Sequence, residues 1–172
     1  MIKEYLWEKS SLDSAELQSI EKEARHEKLE ALLALASFYH RGAYGYPMDE
    51  KKAMRYMDGA MAKHYPQAFY MYAEWLLETP SLNDGIYFKA LKFFERSANL
   101  GYGRAMARIG HFFLYGLGVK VDYVQAEKWL LAAKSHFAID DLNSLAKHYR
   151  ELKRDKDAEN VLLAAQEYQN FL

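Results

Sequence analysis

Apolar residues fall along this chain in stripes that return at a fixed interval. Ala31, Ala68 and Ala105 stand 37 residues apart, and each opens the same local pattern. Four residues on come Leu35, Tyr72 and Ile109; five on, Ala36, Ala73 and Gly110; eight on, Tyr39, Leu76 and Phe113. Residues at these offsets share one side of an α-helix, with a thin spot where a second helix can come close. A fourth copy begins 36 residues later at Asp141, with Leu145, Ala146 and Tyr149 in the same places. Each first stripe is followed by a second, anchored at Ala53, Ala90, Ala126 and Ala158. Tyr56, Phe93, Trp129 and Val161 stand three residues after these anchors, and Ala60, Ser97, Ala133 and Ala165 seven after.

Each unit therefore reads as two helices joined by a turn. Neither helix buries its stripe alone, so stacked neighbours must complete the core. The pattern predicts an all-α fold, a right-handed α-solenoid of stacked helix-turn-helix repeats. Nine helices are expected near 13–26, 29–41, 49–63, 66–78, 86–99, 102–114, 122–135, 139–150 and 155–169. They form one domain over 1–172, with a capping segment at 1–29 and repeats near 30–65, 66–102, 103–138 and 139–172. Residues 1–10 add at most a short helical turn.

The joints carry helix-ending and helix-starting chemistry. Asp13 with Glu16 three residues on forms a capping box, and Leu12 and Leu17 are placed for a hydrophobic staple. Gly116 and Gly118 fall between Phe113, which closes one helix, and Ala126, which opens the next; Gly42 and Gly45 hold the same slot in the first unit. Glycine ends a helix in the left-handed conformation at low cost, and Asp49 and Asp122 then stand where an N-cap belongs. A phosphate-binding glycine loop needs a strand before it, and no strand is predicted. Gly101 and Gly103 fail the same test.

Leu114 to Ala133, "LYGLGVKVDYVQAEKWLLAA", resembles the Sel-one-like repeat (SLR), a relative of the tetratricopeptide repeat. The third unit supplies the residues of that pattern: Ala105, Ile109, Gly110, Phe113, Gly116, Gly118, Val119, Asp122, Ala126, Trp129 and Ala133. The first unit keeps Tyr39, Gly42, Gly45, Asp49, Lys52, Ala53 and Ala60; in the second, "ETPSLNDG" replaces the glycine pair; the fourth has a shorter turn. The resemblance covers about residues 30–170. It implies a non-catalytic adaptor that holds a partner polypeptide on a concave face lined by the first helix of each repeat.

By analogy with tetratricopeptide repeats, that face should carry Leu33, Ala34, Ser37, His40 and Arg41 in the first unit. Tyr70, Met71, Glu74, Leu77 and Glu78 follow in the second. The third gives Ala107, Arg108, His111, Leu114 and Tyr115, with Arg104 leaning inward, and the fourth gives Asn143, Ser144, Lys147, Arg150 and Glu151. Arg104, Arg108, His111, Lys147 and Arg150 would then form a basic strip, with Tyr70, Glu74 and Tyr115 beside it. Guanidinium forks suit carboxylates, so an acidic segment or chain terminus of a partner is the expected ligand. The other reading of the strip is a solvated face, or pairing with Glu74 and Glu78.

Composition narrows the alternatives. Twenty-three basic and 24 acidic residues nearly cancel, so no general nucleic-acid affinity is expected. No cysteine is present, which excludes disulfides and thiolate metal sites. "MIKEYLWEKS" lacks an apolar run of signal-peptide length, and no segment reads as a membrane span, so a cytoplasmic protein is expected. None of the six histidines makes a zinc helix, and no serine sits in a nucleophile elbow. His136 and Asp140, four apart, straddle a helix junction and make a poor metal pair. Trp129 is expected in the core and Trp75 partly buried near a seam between units. "RELKRDKDAE" at 150–159 reads as a solvated turn. The expected function is a protein-binding scaffold without enzymatic activity, cofactor or metal; an immunity protein that neutralises a secreted toxin is the alternative. The many tyrosines, 14 in all, leave room for a homodimer.

Overall fold

A computed structural model describes residues 11–169, of which the side chain of His136 is excepted. The short helical turn expected in residues 1–10 lies outside the described residues. Among them are nine α-helices: α1 (Ser14–Arg25), α2 (Leu29–Arg41), α3 (Glu50–Ala62), α4 (Pro66–Leu77), α5 (Asp84–Asn99), α6 (Gly103–Tyr115), α7 (Tyr123–Ala133), α8 (Ile139–Glu151) and α9 (Asp155–Gln169). A 3-10 turn covers His136–Ala138, and the described residues hold no strand. The helices gather into two compact units, one running to Ala68 and one from Phe69 onward.

The first unit packs α2 between α1 and α3. The capping box at Asp13 forms as expected: its carboxylate accepts from the Glu16 amide at 2.8 Å, and Glu16 accepts from the Asp13 amide at 2.9 Å. Gly42 closes α2 in the left-handed region at φ 65°, and Asp49 caps α3 by accepting from the Lys52 amide at 3.0 Å. Eight consecutive residues of α2, Ala31 to Phe38, are buried.

In the second unit, α6 packs on α5 and α7, α7 on α8, and α8 on α9. Gly116 ends α6 at φ 71°, and the Asp122 carboxylate caps α7 by accepting from the Val124 and Gln125 amides at 3.0 and 2.9 Å. Ala73, Ala90, Leu91, Phe94, Ala98, Ala105, Ile109 and Phe112 make one buried cluster. Leu130, Leu142, Leu145, Tyr149 and Val161 anchor another. The Tyr149 hydroxyl donates within reach of both the Glu127 carboxylate (2.5 Å) and the Tyr123 carbonyl (3.1 Å), tying α8 to α7. The Tyr168 hydroxyl donates to the Leu131 carbonyl at 2.6 Å and ties α9 to α7.

Two expectations change. In the first three units the bulky residues that fill the core from the second helices sit four residues after the anchors, not three, whereas in the fourth Val161 is buried at the expected third position. Met57, Phe94 and Leu130 are fully buried, whereas Tyr56, Phe93 and Trp129 are only half-buried. Trp129 thus lies against its cluster and not inside it. Trp75, expected to be partly buried, is 7 % exposed.

Buried tyrosine hydroxyls give the fold an alkaline limit. Burial, first of all, holds the phenols of Tyr46, Tyr70, Tyr149 and Tyr168 above their ordinary range, and Glu21, Glu74 and Glu127 beside the first three push the same way. A phenol raised in the folded state is neutral there while the unfolded chain already loses its proton. Stability is therefore fully present below about pH 10 and falls as pH rises beyond it. Unfolding free energy measured by denaturant titration should decline steadily above that pH, and a flat profile to pH 12 would contradict the burial of these hydroxyls.

Candidate functional site

The face to test belongs to the second unit, where the first helices of successive repeats, α4, α6 and α8, carry the expected residues. Side-chain contacts run from each helix to the next. Arg108 on α6 places Nε 2.8 Å from Glu74 Oε1 and Nη2 3.4 Å from Oε2, a two-pronged ion pair with α4. The two nearest atoms of this pair are shut away from water, while the side chains that carry them stay about a third exposed. One turn on, His111 Nδ1 lies 2.9 and 3.1 Å from the two carboxylate oxygens of Asp141 on α8. Asp141 itself is largely covered.

Aromatic rings floor and flank these pairs. The Arg108 guanidinium stands 5.6 Å from the centre of the buried Phe94 ring, and Tyr70 meets the same ring at 5.6 Å. Burial raises the Tyr70 phenol above its ordinary range, with Glu74 next in raising it and Arg108 and Arg104 opposing. Tyr70, Glu74, Arg104 and Arg108 therefore form one electrostatic group. At one end of α6, Arg104 lies 4.2 Å over the half-exposed ring of Phe137. At the other end, His111 packs on Tyr115 at 4.6 Å, and Tyr115 presents an exposed ring. Lys147 and Arg150 are exposed on α8.

The basic strip is thus brought together only in part. Arg108 and His111 are each matched by a carboxylate from the neighbouring helix, and Lys147 and Arg150 stand exposed on α8 as positive charge of the face. The pairing of Arg108 with Glu74 is the alternative weighed from sequence. Asp141 was not anticipated as a partner, although the signal was present: it occupies the repeat anchor that Ala31, Ala68 and Ala105 fill elsewhere. Phe94 and Phe137 were also missed. In the first unit Leu33, Ala34 and Ser37 are buried and offer no open surface, and His40 is bound to Glu50 at 2.9 Å. Met71, Ala107 and Leu114 are likewise buried.

Among the described residues no group of three or more histidine, aspartate or glutamate side chains is arranged to hold a metal ion, and no helix is long and apolar enough to cross a membrane. The His136 side chain of the sequence-suggested pair lies outside the described residues.

The geometry agrees with what the chain is similar to. A family model described as Sel1 repeat matches residues 29–60, 87–102 and 103–136. No curated protein matches. Among solved structures, the chain is similar to a protective antigen present in uropathogenic Escherichia coli strains displaying an SLR fold, at TM-score 0.69 and 22 % identity over 91 % of this chain and 33 % of that one. It is also similar to a Sel1 repeat protein from Oxalobacter formigenes, at TM-score 0.67 and 22 % identity, over 88 % of this chain and 63 % of that one. The chain therefore spans a third of the length of the first of these proteins and under two thirds of the second. These likenesses give the fold as an all-α solenoid of the SLR type. With repeat matches in the first unit and the second, helix caps at the repeat's aspartates and glycines at its turns, the chain belongs to the Sel1 repeat family.

Proposed function

We propose that this chain is a non-catalytic scaffold that binds a segment of a partner protein on the face of α4, α6 and α8. Sel1 repeats generally mediate protein–protein interaction, and the family is generally a non-catalytic repeat scaffold. The observation that carries the reading to this face is the ladder of half-buried pairs, Glu74–Arg108 and His111–Asp141. It fixes α4, α6 and α8 side by side without using Lys147 or Arg150. A rigid platform with exposed aromatic rings at Tyr115 and Phe137 suits a binding surface, because such rings contribute large contact areas with little ordering of their own. The exposed cations of α8, Lys147 and Arg150, favour an acidic segment.

The basic strip read from the sequence invites reversing Arg108 together with Lys147. The pairing of Arg108 makes that a poor test, since Arg108→Glu would force two carboxylates together and disturb the platform. Lys147→Glu combined with Arg150→Glu changes only exposed charge. A partner captured by the parent chain and identified should bind this double variant at least about 10-fold more weakly in calorimetry, with a shallower dependence on salt. Helical circular dichroism should be unchanged. Equal affinity for the two proteins would end the assignment to this face.

A further inference from the structure

The first unit holds a half-open groove of about 740 Å³ between α1 and α3, with α2 as its floor. Ala24, Leu32, Leu35 and Gly59 line its apolar bottom, and the stacked rings of Tyr39 and Tyr56, 5.9 Å apart, stand along one side. Two of the cations at its rim are matched within the unit. Lys63 meets Glu27 at 2.7 Å, and Arg25 meets Glu21 at 3.8 Å. Glu21 also accepts from the Tyr46 hydroxyl at 2.8 Å, which closes one end of the groove. Arg55, exposed on α3, has no ionic partner among the described residues.

Gly59 makes this groove more than an accident of packing. It lies in the middle of α3, where glycine weakens a helix relative to alanine. No crowding requires it: a Cβ added there would meet only Leu32 Cδ1, at an ordinary contact distance of 3.7 Å. The chain accepts a weaker helix and keeps the space beside Leu32 open. Arg55 stands one turn earlier on the same side of α3, some 5–6 Å along the helix.

We propose that this groove takes one face of a short amphipathic helix from a partner protein, an apolar side chain packing on Leu32 and Leu35 beside Gly59 and an acidic side chain one turn away pairing with Arg55. The groove has the scale of a built binding cleft. Its walls are α-helices whose backbone groups are bonded internally, so an extended strand would find no ladder to join, whereas side-chain anchors at helical spacing fit. The single unmatched cation sets the sign of the partner's charge. This site is independent of the α4–α6–α8 face.

The test uses a displayed library of random dodecapeptides selected on the full chain. Enriched peptides should carry an apolar residue and an aspartate or glutamate four positions apart. Their affinity should fall at least about 10-fold in Arg55→Glu and at least about 5-fold in Gly59→Ala, while the latter variant melts at or above the parent's temperature. Lys147→Glu with Arg150→Glu should bind them undiminished. Failure of the selection, or peptides that bind both groove variants as they bind the parent, would overturn the proposal. So would self-association of the parent in sedimentation that Arg55→Glu abolishes, since the groove would then serve a second copy of this chain.

Discussion

Gly118→Ala should lower the stability of the second unit by about 3 kcal/mol, the combined effect of backbone strain and overpacking. Gly118 adopts φ +65°, which an alanine reaches only with strain. Its missing Cβ faces the first turn of α5 at distances that no real Cβ occupies. The added carbon would stand 2.7 Å from Tyr87 Cβ, 2.8 Å from the Phe88 backbone nitrogen and 2.9 Å from the Asp84 carbonyl oxygen. Backbone atoms cannot swing aside, so the turn would have to lift off α5. Lifting it would pull Leu117 and Val119 away from the cluster around Phe94 and Phe112. Gly45, in the same slot of the first unit, is the control. Its φ is +82°, yet nothing lies within 4 Å of where its Cβ would be. Gly45→Ala should therefore lose only the conformational part, roughly 1 kcal/mol. Urea unfolding followed by helical circular dichroism separates the two variants, and similar losses at both glycines would contradict the close approach to α5.

That contrast also marks how far the sequence could be read. The glycine pairs were legible as turns because helix termination is a local property, set by one residue's backbone freedom and the aspartate that follows. The repeats were legible for a similar reason: Ala53, Ala90, Ala126 and Ala158 are all fully buried, and small residues at helix crossings recur wherever the crossing recurs. The seat of the large residues was read one position early in three of the four units, Val161 being buried where expected. Offsets of three and four both face a neighbouring helix, and only the relative rotation of the helices chooses Met57, Phe94 and Leu130 over Tyr56, Phe93 and Trp129. The candidate face was legible as a set of positions but not as a charge distribution. Whether Arg108 is available to a ligand depends on Glu74, 34 residues away, and whether His111 is available depends on Asp141, 30 residues away. Repeat periodicity gives the helices that meet; it does not give the rotamers that close an ion pair across them. The groove of the first unit was not legible at all, because an empty space leaves no residue pattern except the unexplained glycine at position 59.

The second large effect links the core to the face above it. Phe94→Ala removes a fully buried ring, and truncations of this kind lose about 3–5 kcal/mol through transfer and cavity terms together. Phe94 meets the Phe112 ring edge-on at 5.6 Å and also packs against Tyr70 and the Arg108 guanidinium, each at 5.6 Å. A cavity here would not collapse symmetrically. Phe112 is held in α6 by Tyr87 at 5.9 Å, whereas Tyr70 and Arg108 are half-buried and can sink toward the void. Arg108 would then draw away from Glu74, and the tie between α4 and α6 would loosen while α8 and α9, held by Tyr149 and Tyr168, would not change. Native-state amide exchange reads this distribution directly. Protection should fall in α4, α5 and α6, and the exchange free energies of α8 and α9 should stay at their parent values under conditions where the whole chain remains folded. If protection fell evenly through the second unit, the aromatic floor would belong to the unit as a whole and not to the Glu74–Arg108 platform in particular.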